Sequence, residues 1–402
     1  MRRILAVFAT AFAVMAATLA PASAGNNITD PWWAMIVYDQ SHQPTVHVGS
    51  EPVMATWRSV ETVKDTYDFT ATDAAINALR GQGKQVMINL WGTPQFWASK
   101  PTQTSFGGLG AASTPNMTAW KNYVTAVVTR YGDTVTYMPW NEPCVSGFWT
   151  GTKAQMVQIV QIAYTTIKAV APTAQVVAPA CPIRLSAQRT YIKYLYGTSF
   201  AGKKLGGWID VAAVNPYPLA TQGPESALSN YKWFKSMIAG KGVKKPIWVT
   251  EINYGIKGIN DSADYSDATQ QSYVIRTQAL FAGSGTQRMT WWSWDSLWQG
   301  VHLTPDKDWV NLTPAGRSWE VGYSWLNNTS VNPCVKNSAG VWSCVAIGGG
   351  ETRRIYWRTS GTSSVAAAVG AFSREDVNGI ATPTVAGQKF TVSTSPVMVR
   401  SH

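Results

Sequence analysis

Histidine is scarce in this sequence, and its placement excludes more than its number. The four histidines stand at 42, 47, 302 and 402. None lies at ligand spacing from cysteine or carboxylate, so no metal centre is indicated. His42 and His47 follow the first apolar run and are candidates for lining a groove, with an ordinary loop role as the alternative. Acidic residues are also few: 22 Asp and Glu against 33 Lys and Arg give a formal charge of +11. The basic residues are scattered, with Lys244-Lys245 and Arg353-Arg354 nearest to clusters, which argues against a nucleic-acid-binding stripe. A nucleotide-binding glycine motif is missing too, because "GGLG" at 107–110 lacks the flanking strand and helix that it needs. No cofactor is implied.

Long hydrophobic runs are equally rare. The one such run, Ile4 to Ala20, follows Arg2 and Arg3 and precedes Pro21-Ala22-Ser23-Ala24. This is the pattern of a secretory signal peptide, residues 1–24, cut before Gly25. The run is short for a membrane span, so no integral membrane segment is expected after cleavage, and the location is secreted or periplasmic. Arg2 and Arg3 contribute two of the eleven net charges, leaving +9 on the remainder. A diffuse positive field suits an acidic partner such as an anionic polysaccharide or an envelope surface, while solubility alone accounts for it equally well. Four cysteines in an exported chain imply two disulfides with three possible pairings. Cys334 and Cys344 flank "CVKNSAGVWSC" and are placed to staple a hairpin; Cys144 and Cys181 each follow an apolar run.

What the chain does have is a hydrophobic content of 45% over 402 residues, enough for a large core. Eight short apolar runs recur: Trp32 to Tyr38, Val53 to Trp57, Gln85 to Leu90, Val135 to Trp140, Gln175 to Ala180, Ile209 to Asn215, Ile247 to Glu251 and Met289 to Trp294. Helix-like segments lie between them. In "DAAINALRGQG" the apolar positions are Ala74, Ala75, Ala78 and Leu79; in "KAQMVQIVQIAYTTIKAV" they are Met156, Ile159, Val160, Ala163 and Ile167. Continuous apolar strands alternating with helices predict an α/β fold, a (β/α)8 TIM barrel over residues 25–328. After Leu326 the texture changes to Ser, Thr, Gly and β-branched residues in "GVWSCVAI", "RRIYWRT", "SSVAAAVGAF" and "QKFTVSTSPVMV". This predicts a small antiparallel β domain over 329–402 that packs against its neighbour, with sugar binding as the alternative role.

Barrel enzymes carry their chemistry at the C-terminal ends of the strands. Glu142 ends the fourth run in "TYMPWNEPC", where a carboxylate in apolar surroundings is costly unless it is used. Pro143 is expected to hold Glu142 in an extended conformation. Glu251 ends the seventh run in "KKPIWVTEINYG". The two runs lie across a barrel from one another, so the glutamates can face a shared substrate. Opposed carboxylates are what glycosidic bond cleavage requires, one holding a proton for the leaving oxygen and the other directing charge at the anomeric carbon.

At these residues the sequence resembles the clan A glycoside hydrolases, through "WNEP" and "WVTE". It resembles more closely glycoside hydrolase family 39 and its bacterial exopolysaccharide-cleaving relatives, through "WRSVETVKDTYDF", "GTPQFWAS", "VNPYP", "PIWVTEINYG" and "SWDSLW…LTPAGRSWEVGYSWL". The resemblance implies Glu142 as general acid/base and Glu251 as nucleophile of a retaining enzyme. It implies that Asn141 bonds the hydroxyl next to the reacting carbon and that Tyr217 donates to Glu251. Trp294 would form the floor of the sugar site, with Trp91 and Trp97 extending the platform and Trp140 nearby; packing is the alternative for each of these rings. Relatives usually have His at the position of Asn215, an Arg near Pro52-Val53-Met54, and Glu-Leu where this chain has Met138-Pro139. These departures leave the two-glutamate reaction intact and bear on the substrate, which is expected to be a polysaccharide or oligosaccharide, with acidic glycans among the candidates. Endo-action is expected, with an exo-acting β-xylosidase-like enzyme or a noncatalytic glycan-binding protein as alternatives. The barrel order also places Cys144 and Cys181 after adjacent strands and so implies that they pair. A monomer is expected.

Overall fold

The computed structural model describes residues 25–54, 56–255, 264–296, 298–305 and 307–402; the expected leader, 1–24, lies outside the described residues. Seven parallel strands form the central sheet: β1 (Trp33–Met35), β2 (Ser50–Val53), β3 (Gln85–Leu90), β4 (Thr136–Pro139), β5 (Ala212–Val214), β6 (Ile247–Ile252) and β7 (Arg288–Trp291). Their order is β4-β3-β2-β1-β7-β6-β5, a curled sheet with β4 and β5 at its two edges. Nearly every residue in these strands is buried, as a parallel sheet covered by helices requires.

The fifth apolar run does not form the expected strand. It lies between the two edges and touches each through single parallel bridges, Tyr137 with Val176 and Val177 with Val211. The backbone shows why. Tyr137 N donates to Gln175 O and Val177 N to Tyr137 O, so the next two rungs would need N–H groups at 139 and 179. Both positions are proline, which has no N–H to give. As a continuous ladder, therefore, the barrel is not closed.

The second strand also sits earlier than its apolar run. It spans Ser50–Val53, with Glu51 fully buried and ion-paired to Lys84, whose ammonium also reaches Gln43 Oε1 at 2.9 Å. A charged residue inside a strand hides it from a reading based on hydrophobicity, and the partner that makes it tolerable lies 33 residues away in sequence. Helix Lys153–Val170 buries Met156, Ile159, Val160, Ala163 and Ile167, the predicted face, and starts with a capping box between Thr152 and Gln155. Helix Thr70–Gly81 buries the expected Leu79 together with Thr72 and Ile76, and leaves Ala74 and Ala78 exposed. Ile76 and Leu79 gain more from burial than alanines do, and they set the rotation.

The second sheet is antiparallel and runs Asn26–Ile28, Thr329–Val331, Val341–Gly348, Glu351–Arg358, Val397–Ser401, Ala371–Glu375, Ala381–Pro383, with Val335–Lys336 pairing beside Val341–Gly348. Its first strand comes from the start of the described chain and pairs Asn26 with Val331 and Ile28 with Thr329. The sheet packs on helices Pro224–Ala239, Asp267–Ala282 and Pro314–Leu326 through polar bonds. Trp357 Nε1 donates to Glu225 Oε1 at 2.7 Å, Trp325 Nε1 to Glu375 Oε1 at 2.9 Å, and Ser272 Oγ to Thr394 O at 2.6 Å. No helix among the described residues is long and apolar enough to cross a membrane.

Both disulfides pair as expected. Cys334–Cys344 staples the hairpin in which Val335 faces Ser343. Cys144–Cys181 joins the loop after β4 to the end of the fifth run across a Cα–Cα distance of 6.0 Å. Replacing Cys144 and Cys181 together by alanine should cost about 2–4 kcal/mol of stability, because the crosslink closes a long loop in the unfolded chain. Urea unfolding checks this, and an unchanged midpoint would contradict it.

Candidate active site

The parallel sheet delivers several polar side chains to one rim, the C-terminal ends of its strands. Glu142 follows β4, Asn215 and Tyr217 follow β5, and Thr250 and Glu251 lie within β6. Asn215 Nδ2 donates to Glu142 Oε1 at 2.6 Å, and Thr250 Oγ1 donates to Asn215 Oδ1 at 2.7 Å. The Thr250 bond fixes which end of the amide faces Glu142. Tyr217 OH donates to Glu251 Oε2 at 2.8 Å. Each glutamate thus keeps one carboxyl oxygen committed to the protein.

Glu142 is not in the extended conformation expected from Pro143. Its φ is 35°, and that of Trp140 is 91°, both in the left-handed region. Such backbone is costly for residues other than glycine and persists only where neighbours enforce it. Here Trp140 N is held by Leu90 O at 2.6 Å, Val145 N returns to Glu142 O at 2.9 Å, and Cys144 is crosslinked to Cys181.

Loss of water around the carboxyls raises both pKa values. Glu142 is pushed up to about 7 by burial, against the lowering effects of the Asn215 bond and the Arg184 guanidinium. Glu251 is raised well above the ordinary carboxylate range by burial and then by repulsion from Glu142, opposed by Tyr217. The two carboxyls influence each other's titration, and burial biases both toward the protonated form. Burial, then Glu251 and Glu142, hold the Tyr217 phenol well above its usual value, so it acts as a donor.

The aromatic residues divide differently from the expectation. Trp294 is 1% exposed and its Nε1 is bonded to Trp309 O at 3.2 Å, so its ring is packing rather than floor. Trp140 is fully buried between Trp120 and Trp149. Trp91 is buried against Phe148, and Trp97 is tied to Glu61 Oε1 at 2.8 Å with Lys64 over its ring. The half-buried ring beside the glutamates is Trp292, which packs edge-on to Tyr217 at 5.8 Å and donates to Tyr38 OH at 2.6 Å. Tyr38 is held in turn by Asp295, which accepts the backbone N–H groups of Tyr38 at 2.9 Å and Asp39 at 2.7 Å. Asn141 is buried, and its Oδ1 has no hydrogen-bond partner among the described residues. His42 lies 3.6 Å from Asp295, whereas His47 is bonded to Glu320 and stacked on Tyr323.

Tyr38, Trp292, Thr250 and Arg184 were not singled out from sequence. Tyr38 and Trp292 each follow a strand directly or within three residues, so strand ends located by pairing rather than by hydrophobicity would have found them. Among the described residues no group of His, Cys, Asp and Glu is arranged to hold a metal ion.

No known family profile matches the sequence, and no curated protein matches it. Solved structures share its fold. A family 39 glycoside hydrolase from Bacteroides cellulosilyticus WH2 superposes with a TM-score of 0.73 at 16% identity, over 94% of this chain and 82% of that one. A family 39 β-xylosidase from Caulobacter crescentus gives 0.64 at 14% identity, over 94% and 98%. A family 30 endoxylanase from Clostridium papyrosolvens C71 gives 0.61 at 12%, over 94% and 98%.

The raised carboxyls carry a stability consequence. A carboxyl with a folded pKa above its unfolded value of about 4.3 favours folding below that pH, and the contribution is lost as pH rises through the folded value. Glu251→Gln should therefore raise Tm at pH 8 and give no gain at pH 4; a gain equal at both pH values would refute the assignment of raised pKa.

Proposed function

We propose that the protein is a secreted or periplasmic retaining glycoside hydrolase that cleaves a polysaccharide internally. In this reading residues 25–328 form a (β/α)8 catalytic barrel, apart from the strand Asn26–Ile28 that joins the second sheet, and 329–402 form a β domain that buttresses it. The observation that carries the proposal is the placement of Glu142 and Glu251 on one strand-end rim, each held by its own neutral donor. The names of the fold relatives, β-xylosidase and endoxylanase among them, support the same class of chemistry.

Glu142 protonates the glycosidic oxygen as Glu251 attacks the anomeric carbon and forms a glycosyl ester. Water, deprotonated by Glu142, then cleaves that ester and restores both carboxyls. Asn215 occupies Glu142 Oε1, which leaves Oε2 to deliver the proton. Tyr217 occupies Glu251 Oε2, which leaves Oε1 to attack. The unpartnered Asn141 Oδ1 is suited to accept a bond from a sugar hydroxyl. Trp292 and Tyr38 offer the apolar surface that a pyranose C–H face requires.

Exposed aromatics on the loops that leave three strands favour internal cleavage. Tyr38 follows β1, Phe106 follows β3 and Trp298 follows β7, with exposures of 52%, 70% and 62%. A terminal-sugar pocket needs no exposed rings on several strand-end loops, whereas a groove with several subsites makes use of them.

Glu251→Ala should lower kcat by about a thousandfold or more while leaving the circular dichroism spectrum unchanged. An activated 2-fluoroglycoside should label Glu251 in the native protein. Retained turnover in the variant would overturn the role of Glu251, and monosaccharides as the first products would overturn internal cleavage.

A further inference from the structure

Among the described residues, Arg184 is the cation whose charge acts on Glu142, and the catalytic scheme above gives it nothing to do. Its guanidinium lies over the Tyr217 ring, 5.9 Å from the centroid, and the side chain is half-buried. Among the described residues it makes no hydrogen bond and no ion pair, and its five N–H donors are open to a ligand. Neither glutamate satisfies it: Glu142 is bonded to Asn215 and Glu251 to Tyr217.

The segment that presents it is fixed from several sides. Cys181 is crosslinked to Cys144, Asn215 N donates to Cys181 O at 3.1 Å, and Pro182 bridges to Asn215. Arg189 Nε donates to Ile183 O at 2.9 Å, immediately before Arg184. The rigidity of its backbone means that Arg184 is held ready at the rim.

A structural role in tuning Glu142 does not account for it. A bare cation favours the ionised carboxylate, which opposes the protonation that an acid needs. An anion bound to the guanidinium would cancel that effect. A planar guanidinium with its donors free matches a carboxylate in a two-bond fork.

Resting on the glycosidase reading, we propose that Arg184 is a specificity residue that binds an anionic substituent of the glycan, a uronate carboxylate or a sulfate ester, close to the cleaved bond. Its place at the rim follows from its contact with Tyr217, whose hydroxyl bonds Glu251.

The test uses the whole protein with glucuronoxylan and hyaluronan, each beside its carboxyl-reduced derivative, and chondroitin 4-sulfate beside its desulfated form. The native protein should favour at least one charged glycan over its neutralised partner by about tenfold or more in kcat/KM. The pair that shows the preference identifies carboxylate or sulfate. Arg184→Gln should bring that ratio close to one, and Arg184→Lys should retain part of it. A native ratio near one, or an equal loss on charged and neutralised glycans in Arg184→Gln, would overturn the proposal. If no glycan is cleaved and no fluoroglycoside labels Glu251, the hydrolase reading fails by itself. Arg184 is then judged by binding of the same pairs to immobilised protein: retention of the charged form that Arg184→Gln abolishes supports the proposal, and equal or absent retention overturns it.

Discussion

Two partly buried carboxyl groups share one rim, and the surrounding structure is arranged around the cost of that meeting. Water would separate and screen them; here Asn215 and Tyr217 replace it, one for each carboxyl. Neutral donors stabilise negative charge without fixing the pair as fully ionised, as a tight arginine or lysine partner would. The pair can therefore hold one proton and one charge together. Thr250 extends the network by orienting Asn215 from the residue next to Glu251, so the two carboxyls are linked through the protein as well as across the space between them.

Proline and sulfur hold this arrangement in place. Pro139 and Pro179 end the ladder between β4 and the fifth run, which frees the segment beyond to turn inward. The Cys144–Cys181 crosslink then fastens the two released loops to each other. An opening in the hydrogen-bonded sheet is closed covalently at the point where the chemistry is proposed. The second sheet buttresses helix Asp267–Ala282, which is buried on nearly all sides. Glu225 ties that helix to the sheet by accepting from both Arg276 and Trp357.

The sequence made legible whatever depends on local pattern. The alternation of strands and helices, the face of Lys153–Val170, both disulfide pairings and the strand-end glutamates could be read from spacing or resemblance. What escaped depends on partners distant in sequence. Glu51 disguised a strand because Lys84 was needed to make its burial tolerable. Trp292 and Trp294 have the same side chain two positions apart, and only the packing of Tyr217 against one and Trp309 against the other distinguishes them. Glu142 adopts a left-handed backbone that no propensity favours; tertiary bonds impose it.

The short strand Asn26–Ile28 joins a sheet whose other strands lie roughly 300 residues further along the chain. Closing so wide a loop carries an entropic cost that local contacts cannot offset early, so this pairing belongs to the late stage of folding. Until it forms, Thr329–Val331 has one row of amide and carbonyl groups without strand partners. The β region consequently has a complete sheet only when the barrel has brought the two ends of the described chain together. Excised at residue 329, it would present an adhesive edge. The natural unit of folding is therefore wider than either sheet alone.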